Sequence, residues 1–379
     1  MWLHKQKERK KMSMKNVYYP LAGMNYVIDD LAQILENKMD GKKEIVLWLS
    51  AQVNCYPHIG TLTNFMSAFA LAKHLQQYYN KPVKIIVELL ESVTGEEVTI
   101  DGNKYYKNLD SVKTESGKTI KEKYLPYFKD ILDKLKKLDN IKYEILFFYD
   151  YQKNPLVKKS LIKVINNYEL LRYTLDPKNG EIRLRFPCPK CGLTEKHIHN
   201  TKIKNVTKDK LSVESFCPKH GIYLSEINEN SIDKFDMNVP LRYLVKILFL
   251  METDKLNDTL SVIVDGGDWS GMWPLRVYME PLLKMNITTV PNIIYTPTIL
   301  DWSGSKLSKR MYVGNSAYRE YLKEGLINYS KFYNQYGEVG FTRLYNEINK
   351  WILEPKKFIR DYTIEYIDAI LKDEKINFI

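Results

Sequence analysis

No run of about 18 apolar residues occurs anywhere in the chain, so nothing in it can cross a bilayer as a helix. The basic opening from His4 to Lys11 has no apolar core, which excludes a secretory signal and reads as an extension ahead of Met12 or Met14. Cysteine is scarce. The four present, Cys55, Cys188, Cys191 and Cys217, make no disulfide framework, and three of them share a metal-like pattern. A reducing cytoplasm without membrane partners is the expected setting. Internal repeats are also missing, which sets aside solenoids and propellers.

What is present suffices for a folded protein. The 379 residues are 44% hydrophobic, enough for a catalytic domain and one or two smaller units. Lysine and arginine number 57 against 46 acids, a formal charge of +11 that favours polyanionic partners through counterion release. A lysine-heavy surface explains that charge as well as RNA does.

Strands alternate with helices along most of the sequence, the pattern of an α/β protein with a doubly wound parallel sheet. Strands are expected at 44–50, 83–90, 143–148, 260–264 and 292–295. Helices are expected at 62–78, 120–138, 156–173, 239–251 and 274–284. A polar hairpin is expected around Asp101-Gly102-Asn103. Five segments follow: an N-terminal extension and helix (1–40), a first Rossmann-type half (41–173), a connective insertion (174–233), a second half (234–315) and a short helical region (316–379). The last is expected to carry helices at 318–322, 331–336, 342–351 and 364–371.

The insertion holds Cys188-Pro189-Lys190-Cys191-Gly192 and Cys217-Pro218-Lys219-His220-Gly221. Each knuckle sets two soft or imidazole ligands on a tight turn, and the glycine after it allows the positive φ such a turn needs. Cys188, Cys191, Cys217 and His220 suit a closed tetrahedral zinc site. Four protein ligands leave no position for water, so the zinc is expected to be structural. His197 and His199, between the knuckles, read as hairpin residues.

Three stretches carry chemistry. Pro57-His58-Ile59-Gly60-Thr61 lies between the first strand and the first helix, the strand-turn-helix entry that seats phosphate in an open parallel sheet. Trp302-Ser303-Gly304-Ser305-Lys306 leads into Lys306-Leu307-Ser308-Lys309-Arg310, where two lysines three apart can converge on a polyphosphate. Between them, Val262-Ile263-Val264-Asp265-Gly266-Gly267-Asp268-Trp269 reads as a buried strand ending in Gly and Asp. In this order the three resemble the HIGH signature, the G-x-D element and the KMSKS signature of class I aminoacyl-tRNA synthetases, over residues 44–315.

The resemblance implies ATP-dependent activation of an amino acid to an aminoacyl adenylate, with Mg²⁺ accompanying ATP and tRNA as acceptor. It assigns His58 and Thr61, with Lys306 and Lys309, to the catalytic phosphate contacts. Pro57, Gly60, Gly266, Gly267, Asp268, Trp269, Gly304 and Ser308 fall to ATP. Two positions depart from the family pattern: Thr61 replaces a second histidine, and Leu307 and Arg310 replace Met and Ser.

The amino-acid pocket is expected at the end of the first strand, from Ser50, Ala51, Gln52 and Asn54, with Cys55 in its wall and Asp265 opposite. The small polar residue after Pro-His-Ile-Gly, with the zinc knuckles, looks most like class I lysyl-tRNA synthetase. A lysine substrate would need a buried carboxylate, for which Glu88, Glu91, Asp265 and Asp268 are available. Trp269 and Trp302 could stack an adenine or an RNA end, while Trp273 reads as core. A family member normally carries a substantial anticodon-binding domain after the KMSKS loop, where this chain has only 316–379. Recognition through the acceptor stem, by the zinc-bearing insertion, is therefore expected. Two alternatives remain: a truncated paralogue loading a biosynthetic acceptor, and a non-catalytic RNA-binding relative.

Overall fold

The computed structural model describes residues 27–181, 183–231, 234–289, 291–307 and 323–374, together with the backbone of two short strands at 16–17 and 377–378. Ser308, Lys309, Arg310 and the helix expected at 318–322 lie outside the described residues.

A 3₁₀ helix at Leu31–Lys38, opened by an Asp30/Gln33 capping box, precedes the sheet. In chain order come β1 (Glu44–Gln52), α1 (Ile59–Tyr79), β2 (Val83–Leu90), a hairpin of β3 (Thr94–Ile100) and β4 (Asn103–Asn108), α2 (Ile120–Asp139) and β5 (Lys142–Phe147). Next are α3 (Pro155–Asn166), α4 (Tyr168–Leu175), β6 (Leu184–Arg185), β7 (Thr194–Glu195), β8 (Lys202–Val206), β9 (Lys210–Cys217), β10 (Gly221–Asn228) and β11 (Asp236–Met237). The second half contains α5 (Val239–Asn257), β12 (Thr259–Gly266), β13 (Asn292–Thr296) and β14 (Ile299–Leu300). The chain then forms α6 (Tyr329–Leu353), β15 (Tyr362–Thr363) and α7 (Ile364–Lys372).

Five strands make the central sheet in the order β13-β12-β1-β2-β5, every neighbouring pair parallel. Such strands are buried on both faces, and β1 divides accordingly. Ile45, Leu47 and Leu49 enter one core with α1 and α2, while Val46 and Trp48 enter a second with α3 and α5. The order reverses between β1 and β12, which opens a crevice at their carboxyl ends.

Local chemistry sets the element ends. Thr119 and Glu122 form a capping box at the start of α2, and Asn80, Asn140 and Asp258 end α1, α2 and α5 in the left-handed region. The β3–β4 turn at Asp101-Gly102 has positive φ at both residues, the geometry that two-residue hairpins favour.

Four expected helices differ. The one at 156–173 breaks at Asn167 into α3 and α4. The one at 274–284 contains a π segment, Leu275–Met279. The pieces at 331–336 and 342–351 join as α6 across a kink at Gly337, with φ 57° and ψ −157°.

Neither satellite stands apart from the sheet. Phe186, Leu211, Val213, Ile227 and Phe235 of the insertion share the second core with Trp48 and α5. Phe341, Leu344, Ile348 and Trp351 of α6 share the first core with α1. β7 pairs with β4, so the hairpin from the first half extends the insertion.

Candidate active site and metal centre

At the crevice between β1 and β12 lies a cavity of about 1470 Å³. Pro57, His58, Gly60, Thr61, Gly266, Asp268, Trp269 and Lys306 all line it, as do Ser50, Gln52, Asn54, Cys55 and Asp265. Most residues singled out by the three sequence stretches thus meet on one surface.

His58 caps α1. Its Nδ1 accepts the Gly60 N–H at 3.1 Å, so the neutral ring carries its proton on Nε2. The imidazole lies so close that a Cβ at residue 60 would fall 2.9 Å from its Cε1, which makes glycine a packing requirement there. Thr61 continues the first turn, donating its backbone N–H to the His58 carbonyl at 2.9 Å. The Gly60 and Thr61 N–H groups are thus already paired with His58, and it is the dipole of α1 that makes this end of the cavity favour an anion.

The β12 terminus supplies the opposite rim. Asp268 is ion-paired with Lys306, and its Oδ1 occupies the space a Cβ of Gly266 would need. Gly267 does not line the cavity. A Cβ there would lie 2.8 Å from Thr298 Oγ1 and 3.1 Å from the Thr296 carbonyl oxygen, so its role is packing against the end of β13. Trp269 stacks on Tyr243, ring centroids 5.9 Å apart, and meets Trp273 edge-on at 4.9 Å. The loop before Lys306 is organised by the buried Asp301. Its Oδ1 accepts from the Ser303 N–H at 2.9 Å, the Ser303 hydroxyl at 2.6 Å and the Ser305 N–H at 3.3 Å. Gly304 takes φ +76° in that turn.

Two of the four acids expected to be available to a lysine ammonium, Glu88 and Glu91, are committed elsewhere. Glu88 does not line the cavity; it is buried in the second core, where Oε2 accepts from Ser50 Oγ at 2.8 Å and from Lys246 Nζ at 3.1 Å. Lys246 also donates to Ser50 Oγ at 2.9 Å. Glu91 is buried and accepts the backbone N–H groups of Phe148 and Tyr149 at 2.9 and 3.0 Å. Of the four, Asp265 alone combines burial with access to the cavity, and Tyr243 donates to its Oδ2 at 2.7 Å. Burial pushes the Asp265 carboxyl up to about 6, and the Tyr243 hydrogen bond opposes that shift.

The side facing the insertion is cationic. Lys104, Arg183, Arg185, Lys196 and Arg242 line it, together with His197, whose imidazole is held below its usual range by burial and by the charges of Lys196, Lys104 and Arg183. Arg185 donates to Asp236 Oδ2 at 2.5 Å, as does the Tyr106 hydroxyl at 2.8 Å; Lys104 and Lys196 both pair with Glu97. Sequence reasoning missed this wall and the α5 cations. The available signal was Arg242 and Lys246, four apart in the otherwise apolar run from Leu241 to Leu250.

Cys188, Cys191, Cys217 and His220 come together with their ligand atoms all within 4.8 Å of one another, close enough to hold one metal ion. Cys188 Sγ and Cys217 Sγ each lie 3.5 Å from His220 Nδ1, and Cys191 Sγ lies 3.6 Å from Cys217 Sγ. Gly192 and Gly221 have φ of +72° and +76°, as the knuckle turns require. His199 instead pairs with Glu181 at 2.6 Å, and the exposed His197 faces the cavity. No described helix is long and apolar enough to cross a membrane.

No protein-family model and no curated protein sequence matches the chain. Among solved structures it is similar to the methionyl-tRNA synthetase of Mycobacterium tuberculosis bound by methionyl-adenylate. That pair is 12% identical with a TM-score of 0.43, covering 87% of this chain and 68% of the other. A second structure of that synthetase with methionyl-adenylate aligns at 13% identity and TM-score 0.42, over 86% and 68%. A putative arginyl-tRNA synthetase from Campylobacter jejuni aligns at 11% identity and TM-score 0.32, over 86% and 68%. At these values the likeness assigns neither a substrate nor residue roles.

Proposed function

We propose that the protein uses ATP to activate an amino acid as its aminoacyl adenylate and then passes the acyl group to a tRNA held by its acceptor stem. The observation that carries this reading is the meeting of the His58 turn and Lys306 at one cavity beside the topological switch point. These are the two stretches that resemble the HIGH and KMSKS signatures, and they come from opposite ends of the sheet's sequence.

The chemistry follows from the groups present. An amino-acid carboxylate is ionised at neutral pH, so it attacks the α-phosphorus without a general base. The new carboxyl O–P bond forms as the bond to pyrophosphate breaks. Catalysis then rests on orientation and on charge stabilisation at the phosphate oxygens. His58 Nε2–H and the Thr61 hydroxyl serve as donors at the start of α1. Lys306 leaves Asp268 to meet the developing charge on pyrophosphate, joined by Lys309 and Ser308 of the same signature. Pro57 and Gly60 shape the turn against the nucleotide, Gly266 and Asp268 border it, Trp269 offers it a ring face, and Gly304 lets the loop close. Mg²⁺ accompanies the ATP phosphates.

Asp265 receives the substrate ammonium, with Ser50, Gln52 and Asn54 around it. Lysine is not carried forward as the substrate, since Glu88 is ion-paired with Lys246, Glu91 holds backbone N–H groups, and neither lines the cavity. Zinc is the ion that the Cys₃His donor set suits, and a closed site of this kind stabilises the insertion. Lys104, Arg183 and Lys196, on the insertion side of the cavity, favour the phosphates of an RNA end.

Amino-acid-dependent ATP–pyrophosphate exchange tests activation, and no exchange with any amino acid would refute it. Charging of an intact tRNA compared with a minihelix of its acceptor arm tests the acceptor. Activity on both supports acceptor-stem recognition. A dead minihelix beside an active tRNA, with charging abolished by anticodon substitutions, overturns it. Adenylate formation with neither RNA charged points to the biosynthetic alternative.

A further inference from the structure

α5 enters the second core with ten consecutive buried residues, Leu241 to Leu250, and two of these are cations one turn apart. Lys246 is matched by Glu88 and Ser50. Arg242 is not matched among the described residues: no carboxylate or other acceptor meets its guanidinium, whose near neighbour is the face of Phe148 at 5.8 Å. Yet Arg242 is only 8% exposed and lines the cavity. An arginine does not shed its proton, and this largely buried guanidinium, whose nitrogens are open to the cavity, has only cavity solvent to meet its charge. The missing counter-charge is therefore expected from a ligand.

Position in the fold says which part of the ligand. Residues of α1 join one core and residues of α5 the other, so His58 and Arg242 approach the cavity from opposite faces of the sheet. Ser50 and Asp265 lie on the Arg242 face, since Ser50 bonds Lys246 and Asp265 bonds Tyr243, both on α5. A substrate ammonium at Asp265 leaves the Arg242 guanidinium facing the substrate side chain. The α-carboxylate does not satisfy it, because that group must reach the phosphorus on the α1 face, and Arg242 would hold it away. The ATP phosphates are claimed at that other face as well. A planar guanidinium fork fits a carboxylate through paired hydrogen bonds.

We propose that Arg242 binds a carboxylate on the substrate side chain, so that the amino acid activated is dicarboxylic. This rests on the amino-acid-activating reading above and narrows it.

The test begins with calorimetric titration of the full chain, without ATP, using L-aspartate, L-glutamate, their amides and L-lysine. One of the two dicarboxylic amino acids should bind about a hundredfold or more tighter than its amide and than lysine, since the latter leave Arg242 unpaired. Arg242→Met should remove that preference and Arg242→Lys should retain part of it, with thermal melts reporting that each variant is folded. Preferred binding of lysine or a neutral amino acid, no binding by either dicarboxylic amino acid, or an undiminished preference in folded Arg242→Met overturns the assignment. Pyrophosphate exchange separates this from the reading it rests on. Arg242-dependent binding without exchange keeps the pocket and refutes activation; exchange driven by a neutral or cationic amino acid keeps activation and refutes the Arg242 assignment.

Discussion

The backbone N–H of Tyr329 donates to the carbonyl of Pro57 at 2.9 Å, tying the first residue of α6 to the turn that bears His58. The same C-terminal region holds the loop ahead of Lys306. Tyr362 N–H donates to the Thr298 carbonyl at 3.0 Å, Asp361 accepts the Thr298 N–H at 3.0 Å, and β15 pairs with β14 just ahead of Asp301. Residues 323–374 thus bracket the two loops that meet at the cavity.

Trp351 anchors that bracket. It is fully buried and stacks on Tyr362 with ring centroids 3.9 Å apart. Trp351→Ala should cost about 3–5 kcal/mol in urea unfolding, as large-to-small aromatic changes in a core do. It should also weaken ATP binding, because β15 steadies the Lys306 loop. Unchanged ATP affinity in a destabilised but folded variant would separate the bracket from the nucleotide site.

Lys306→Ala is expected to slow adenylate formation about a hundredfold, on the order of 3 kcal/mol, as removal of one contact to transition-state charge does. Affinity for the free amino acid should stay the same, since Lys306 is assigned to pyrophosphate. Single-turnover rates and calorimetry give the two numbers. Loss of amino-acid binding with an unchanged rate would move Lys306 out of the phosphate site.

The sheet was largely legible because its signals are local. Buried parallel strands such as Val83–Leu90 read as apolar runs, and Asp101-Gly102 announces its turn. Cys188, Cys191, Cys217 and His220 were legible for the same reason, spacing being enough to predict their meeting. Partners distant in sequence were not. Glu88 looked available because nothing near it in sequence neutralises it, and Lys246, which does, arrives from α5. The break at Asn167 and the π segment at Leu275–Met279 escaped periodicity, which counts apolar positions and is blind to backbone register. Gly267 read as a nucleotide residue, while its constraint is the nearness of Thr296 and Thr298.

The metal prediction follows from the shared core. One zinc per chain should be found by elemental analysis, and Cys217→Ser should release it. Hydrogen exchange should then rise at both knuckles and in β9 and β10, with β1, β2 and β12 still protected. Phe186 and Leu211 join the second core, so some loss of global stability should accompany the change. A chelator-washed protein that keeps its fold and its knuckle protection without metal would sink this assignment.

Asp265 supplies a pH dependence whose sign can be worked out. Burial raises its carboxyl from 3.8 to about 6, aided by Asp268 and opposed by the Tyr243 hydrogen bond and by the charges of Lys246 and Lys306. The folded pKa exceeds the unfolded one, so the group's stabilising contribution is complete below about pH 4 and is lost as pH rises through 6. Two pKa units correspond to about 3 kcal/mol, so Asp265→Asn should be more stable than wild type near pH 7 by up to that amount and little different near pH 4. Binding runs the other way. A substrate ammonium needs the ionised carboxylate, so amino-acid affinity should climb as pH rises through about 6 and then level, and the Asn variant should bind weakly with no such step. Stability gained and affinity lost in one substitution would mark Asp265 as a residue kept for the site at the expense of the fold. An affinity in the wild type that stays flat from about pH 5 to 7 would take Asp265 out of the amino-acid pocket.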